Sequence, residues 1–188
     1  LAKMCGGGVT VYKLNIGNNS PDCQQNLERL QGIDGVSVTF VNKGDALPEI
    51  KPDSVVIDGI FGSGLNRPVE GYWAELIEHI NSTGNEIVSI DIPSGLFCTD
   101  NRANTGAIIK ANNTLSLQLP KLPFFFAENE QFVGDFDILP IGISQQAIDS
   151  AETPFSLTEK RDLARLIKPR QRFAHKGTFG HALLTAGS

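Results

Sequence analysis

Apolar residues in this 188-residue chain form two kinds of segment, short β-branched runs and longer stretches with a helical period. The stretch at 72–81 places Trp73, Leu76, Ile77 and Ile80 on one face, which predicts a helix, as does the stretch at 21–30. The short runs predict strands at residues 9–14, 36–41, 54–58, 87–90, 114–119 and 136–138. The continuous apolar run Val55-Val56-Ile57 predicts a parallel strand that is buried on both faces. Strands and helices that alternate in this way predict an α/β fold with a mostly parallel sheet.

The pattern changes near residue 150, which indicates a second structural region. Ser156 and Glu159 have the spacing of a capping box and predict a helix that continues to about residue 167, ahead of Pro169. Residues 181–186 predict one more strand. We therefore expect a first domain over residues 1–151, and a linker with the start of a second domain over residues 152–188.

The first polar motif begins at Asp58, where the 54–58 strand is expected to end. The following sequence, GIFGSGLNR, is rich in glycine, so its backbone N–H groups can approach a phosphate closely. Arg67 can add charge-assisted contacts to the same ligand. The motif lacks the third glycine of the dinucleotide fingerprint. A tight strand-to-helix turn in which Asp58 binds loop amides is therefore an equally open interpretation.

The second motif, Asp91-Ile-Pro-Ser94-Gly95, follows the strand at 87–90. Ligands of parallel α/β sheets bind beyond the carboxyl ends of the strands, so Asp58, Asp91 and Ser94 are expected near one crevice. Carboxylate and hydroxyl oxygens suit a hard cation, and either carboxylate can act as an acid or a base. The alternative for Asp91 is a structural hydrogen-bond acceptor within its own turn.

Composition narrows the choice of partners. The net charge is -5 and the basic residues are scattered, which disfavours nucleic-acid binding. The three cysteines form no CxxC pair, which argues against a disulfide framework or a zinc site and favours the reducing cytoplasm. No apolar run approaches the roughly 20 residues of a membrane span. We expect a cytoplasmic protein with a small-molecule partner, and a homo-oligomer is left open.

The segments VVIDGIFGSGLNRPVEG and VSIDIPSGL, with the downstream TGAIIKANNTLSLQLPKLPFFFAENEQFVGDFDILPIGI, resemble the NAD(P)H-hydrate epimerase family, also called the YjeF N-terminal domain. The tail RFAHKGTFGHALLTAGS resembles the opening of the ribokinase-like NAD(P)H-hydrate dehydratase domain. The resemblance implies a Rossmann-like three-layer sandwich followed by the N-terminal edge of a ribokinase-like domain. It also implies a bifunctional parent that epimerises the R and S forms of hydrated NADH and NADPH and dehydrates the S form with ADP or ATP.

The resemblance also implies roles for individual residues. Asp58 and Ser94 are expected to bind a potassium ion, and Asp91 is expected to contact the reacting nicotinamide hydrate as the catalytic residue. The expected substrate-binding residues are Gly62, Ser63, Gly64, Leu65, Asn66, Arg67, Pro68 and Asp91.

This chain departs from the family pattern in one place. The family carries a GNNGGDG loop before the strand that corresponds to residues 9–14 of this chain. This chain has no such loop there, so residues 1–151 are expected to lack the first strand and loop and to bind substrate weakly. The segment IGNNSPD at 16–22 is similar but lies one strand later, and Ser20-Pro21 replaces its double glycine. We interpret it as a turn and a helix N-cap.

The main alternative to an enzyme is a non-enzymatic Rossmann-like interaction or scaffold module, because related domains serve as scaffolds. The presence of Asp58, Asp91 and Ser94 together favours the enzyme. An ordinary nicotinamide oxidoreductase is disfavoured, because the chain has no GxGxxG motif and no acidic residue at the ribose-binding position.

Overall fold

A computed structural model describes residues 8–167, 169, 171–179 and 181–185. The chain divides into two compact units, Leu1–Ile143 and Ser144–Ser188. The sequence places the boundary between the first domain and the linker at residues 151 and 152, and that boundary stays a prediction. The candidate site residues all belong to the first unit.

The strands of the first unit lie close to the predicted positions, and every pairing among the described residues is parallel. The strands are β1 (Val9–Leu14), β2 (Val36–Val41), β3 (Val55–Asp58), β4 (Glu86–Ile90), β5 (Asn113–Leu117) and β6 (Asp135–Leu139). β1 pairs with β2, and a second sheet has the order β3-β4-β5-β6. This arrangement confirms the α/β class and matches a Rossmann-like fold.

The helices of the first unit include both predicted ones. They are α1 (Pro21–Leu30), α2 (Tyr72–Ser82) and the short α3 (Glu130–Val133), with 3₁₀ turns at Leu122–Phe125 and Ala127–Asn129. Ser20 caps α1, since its Oγ accepts a hydrogen bond from the N–H of Cys23 at 3.2 Å, and Pro21 occupies the first turn. The IGNNSPD segment is therefore a turn and an N-cap, as predicted.

Two apolar clusters hold the strand ends in place. In the first, α2 buries Leu76, Ile77 and Ile80 against β4, while Trp73 is only partly buried. The second cluster surrounds the loop that follows β4, where Ile92 and Leu96 are almost completely buried. The backbone between these two residues, which carries Ser94, is thereby fixed on both sides.

The prediction that β3 is buried on both faces was wrong. Val55 and Ile57 are 54% and 46% exposed, whereas Val56 packs against the first cluster and Asp58 is buried. Side chains alternate between the two faces of a strand, and the described residues cover only one face of β3. The apolar run correctly indicated a strand but not its burial.

The second unit contains α4 (Gln145–Asp149), α5 (Lys160–Leu166) and a 3₁₀ turn at Lys176–Phe179. The predicted capping box of Ser156 and Glu159 was wrong. Glu159 is itself the N-cap, and its partner is Asp162, whose carboxylate accepts the Glu159 N–H at 3.0 Å. A capping box pairs the N-cap residue with the residue three positions later. Glu159 can occupy either position, so the sequence did not determine where the helix begins.

The strand predicted at 181–186 is absent from residues 181–185, which have no regular structure, and Ala186 lies outside the described residues. A strand needs a neighbour for its backbone hydrogen bonds, and the described part of the chain pairs none with it.

No helix in the described ranges has the length and apolar character needed to cross a membrane. Cys23 and Cys98 are free thiols, and Cys5 lies outside the described residues.

Candidate functional site

Asp58, the last residue of β3, is a carboxylate that is only 2% exposed. Both of its oxygens accept hydrogen bonds from neutral donors. Oδ1 accepts from Ser94 Oγ at 2.6 Å and from Ile60 N at 3.2 Å, and Oδ2 accepts from Ser89 Oγ and Ser94 N, each at 2.8 Å. Among the described residues no Lys or Arg pairs with it. Burying a carboxylate without a paired cation costs free energy, which makes Asp58 a candidate ligand for a cation.

Ser94 joins the loops that follow β3 and β4. Its fully buried Oγ donates to Asp58, accepts the Phe61 N–H at 2.8 Å and lies 3.3 Å from the Phe61 carbonyl oxygen. The structure thus brings together Asp58 and Ser94, as expected from the two sequence motifs. The contributions of Ser89 and the Phe61 backbone were missed. The polar Ser89 within a buried apolar strand was the signal for the first of them.

The glycine-rich loop after Asp58 borders an open cavity of about 510 Å³, lined by Ile60, Phe61, Gly62, Gly64, Leu65, Asn66 and Arg67. Arg67 is exposed and forms no ion pair within the described ranges. Leu65, like Ile60 and Phe61, also packs against the first apolar cluster. Pro68 is partly buried, and Ser63 is exposed. Most of the predicted substrate-binding residues therefore lie at this cavity, with Leu65 also anchoring the loop.

Asp91 has a backbone φ of 70°, in the left-handed region that non-glycine residues rarely adopt. Its N–H donates to Leu115 O at 2.8 Å, and its Oδ1 accepts from the Leu117 N–H at 3.3 Å. Its carboxylate thus binds the neighbouring strand β5 and does not close a local turn. No hydrogen bond among the described residues joins Asp91 to Asp58 or Ser94. The three predicted residues are therefore not in one hydrogen-bonded cluster.

Lys121 forms an ion pair with Asp91, with 2.7 Å between Nζ and Oδ1. Lys121 was not among the residues predicted for the site. Burial raises the pKa of the nearby Cys98 thiol, while the charges of Lys121 and Asp91 act on that pKa in opposite directions. The surroundings of Asp91 thus include a cation that the motif alone did not reveal.

The atoms around Asp58 are compatible with a potassium ion. They are oxygens of a carboxylate, of the Ser94 hydroxyl and of the Phe61 carbonyl, and such ligands suit hard cations. No group of three or more His, Cys, Asp or Glu side chains suited to a metal occurs within the described residues. The donor set therefore differs from that of a zinc or iron site.

Comparison with known proteins gives consistent matches. Residues 1–123 match the family described as YjeF-related protein N-terminus. The chain is 30% identical over 168 residues to the bifunctional NAD(P)H-hydrate repair enzyme of Thermofilum pendens, covering 88% of this chain and 31% of that protein. It is 30% identical over 190 residues to the enzyme of the same name from Vibrio cholerae, covering 100% and 37%, respectively. The corresponding Escherichia coli enzyme is 29% identical over 138 residues, covering 72% and 26%.

The chain therefore spans about a third of the length of the curated relatives that it matches.

Proposed function

Because this chain belongs to the family of YjeF-related protein N-termini, we propose that it epimerises the R and S forms of hydrated NADH and NADPH. The names of its relatives support a role in NAD(P)H-hydrate repair. In this proposal the parent protein also dehydrates the S form, using ADP or ATP, in a domain that follows residue 151. The epimerase would supply the dehydratase with the form it accepts.

The observation that carries the proposal is the polar edge of the second sheet. Asp58 and Ser94 meet there at 2.6 Å, and the loop that begins at Ile60 and Phe61 lines the adjacent cavity. Exposed glycines and Arg67 on that loop suit the phosphates of a nucleotide. Asp91 follows the neighbouring strand, where a carboxylate would contact the nicotinamide end.

Asp91 is proposed as the group that exchanges the proton. The substrate carries a hydroxyl on the ring carbon next to the nitrogen. The nitrogen lone pair expels this hydroxyl as the C–O bond breaks, and protonated Asp91 donates a proton, so water leaves. Water then adds to the other face of the cationic ring and returns a proton to Asp91. The net result is inversion of one centre, and Asp91 recovers its starting state.

Potassium is proposed to bind at Asp58 and Ser94. The ion would supply the positive charge that the described surroundings of the Asp58 carboxylate lack, and it would offer coordination positions to ligand oxygens. The chain's own contribution is to hold the oxygens of Asp58, Ser94 and Phe61 together before any ligand binds.

A first prediction concerns this cation. At equal ionic strength, potassium should raise the melting temperature of the full chain by a few degrees relative to lithium, because an ion that binds only the folded state stabilises it. Asp58→Asn should abolish the difference. Differential scanning fluorimetry in the two salts measures it, with Asp137→Asn as an exposed control that should keep the difference. Equal melting temperatures of the parent in both salts would exclude the site.

The function itself is tested by giving the full chain the purified R form of NADPH hydrate and separating the two forms by chromatography over time. We expect the S form to accumulate faster than in a protein-free control until the two forms reach equilibrium. A rate equal to the control even at hydrate concentrations that saturate a weak site, with the chain folded and potassium present, would favour the non-enzymatic interaction module.

A further inference from the structure

Lys121 is a charged residue whose contribution to the site is not explained by the family resemblance. Its Nζ lies 2.7 Å from Asp91 Oδ1, and the two side chains are only 17% and 18% exposed, respectively. Solvent screens such a pair less than it screens a pair on the surface. The pairing also joins residues 30 positions apart in the sequence, which come together only in the folded structure.

The ammonium group of Lys121 is held by more than its carboxylate partner. It donates to Ser116 Oγ at 3.2 Å, to Leu117 O at 3.2 Å and to Leu119 O at 3.0 Å. These acceptors lie at the end of β5 and just beyond it. Because the ammonium group is fixed to the backbone of the sheet, it gives Asp91 a fixed partner rather than a mobile surface charge.

The two oxygens of Asp91 have different surroundings. Oδ1 binds both Lys121 Nζ and the Leu117 N–H, whereas Oδ2 accepts no hydrogen bond from the part of the chain that the structure describes. The backbone N–H of Asp91 is also fixed, on Leu115 O. A carboxyl group held at one oxygen leaves the other for a proton that is exchanged with a ligand.

We propose that Lys121 is the positioning residue of Asp91, an inference that rests on the proposed epimerase function. It fixes Oδ1, so that Oδ2 keeps one orientation for proton transfer to the substrate. Its positive charge also stabilises the carboxylate that remains after Asp91 has given its proton to the leaving hydroxyl. Lys121 acts through Asp91 and needs no contact with the substrate.

Lys121→Met tests this role because it keeps the length of the side chain and removes the ammonium group. We expect kcat for epimerisation to fall about tenfold to a hundredfold, the effect of losing one close contact with a charged group, with KM unchanged within about twofold. Lys121→Arg should recover part of the rate, because it keeps the charge. The exposed Lys110→Met is the matched control and should keep the parent rate.

A double variant separates positioning from a purely structural role. If Lys121 acts through Asp91, adding Lys121→Met to Asp91→Asn should slow the reaction no further. If Lys121 only stabilises the end of β5, the two effects on kcat should multiply. Multiplying effects, or a Lys121→Met variant with the parent kcat, would overturn the proposal.

Failure of the proposed function gives a different result. A parent chain without epimerase activity overturns that function. The contact of Lys121 with Asp91 is then tested by NMR, through the ¹³C resonance of the Asp91 carboxyl carbon. A change in this resonance in Lys121→Met, absent in Lys110→Met, would support the positioning contact. An unchanged resonance would overturn it.

Discussion

Asp91→Asn should slow epimerisation by about 10²–10⁴-fold, the usual contribution of one acid–base group. The amide is nearly the same shape as the carboxyl group, and its oxygen can still accept from Leu117 N and lie beside Lys121 Nζ. Asn also tolerates the left-handed backbone that Asp91 adopts at φ 70°. We therefore expect the fold and substrate binding to be retained, so the loss should appear in kcat with little change in KM.

Chromatographic assay of the R and S forms measures this prediction, and circular dichroism checks the fold. Asp100→Asn is the matched control, since Asp100 lies nine residues away in sequence and its side chain is 55% exposed, beside Arg102. The control should react at the parent rate. If folded Asp91→Asn also reacts at the parent rate, Asp91 is not the acid, and a water molecule or another residue supplies the proton.

Gly95→Ala should destabilise the first unit by roughly 2–6 kcal/mol, through backbone strain and overpacking together. Gly95 has φ of 100°, which L residues rarely adopt, and an added Cβ would lie 2.2 Å from the Ala107 carbonyl oxygen. Neither backbone can move freely, because the neighbouring Ser94 O accepts the Ile109 N–H at 2.9 Å. A loss of this size is a large part of the stability of an ordinary domain.

Urea unfolding of the full chain, followed by circular dichroism, measures this loss as a lower midpoint. Gly59→Ala is the control, because Gly59 has no positive φ and an added Cβ meets nothing within 4 Å. It should change the free energy of unfolding by less than about 0.5 kcal/mol. Equal midpoints for the two variants would show that the turn after β4 can rearrange, and that Gly95 does not fix the position of Ser94.

The sequence predicted the elements of the first unit well because their signals are local. β-branched runs mark the strands, and Ser20-Pro21 marks the start of α1. The proximity of Asp58 and Ser94 followed from a general property of parallel sheets, whose carboxyl ends share one edge. Each of these inferences needed only nearby residues and one rule about topology.

The errors concern features that depend on distant neighbours. Burial of Val55 and Ile57 depends on what covers β3, and formation of a strand at 181–185 depends on a pairing partner. The contact of Lys121 with Asp91 likewise arises from the folding of β5 beside β4. Local sequence patterns carry no information on such contacts.

The most direct test of the epimerase account is ¹⁸O uptake during inversion. The full chain is incubated with the R form of NADPH hydrate in H₂¹⁸O, and the S form is isolated early and analysed by mass spectrometry. Protein-free and Asp91→Asn samples measure the uncatalysed background. We expect catalysed inversion to put one ¹⁸O atom into each new S molecule, because the hydroxyl leaves and solvent water replaces it. Catalysed formation of S hydrate that retains its original oxygen would contradict the mechanism, and no S hydrate above background would contradict the function.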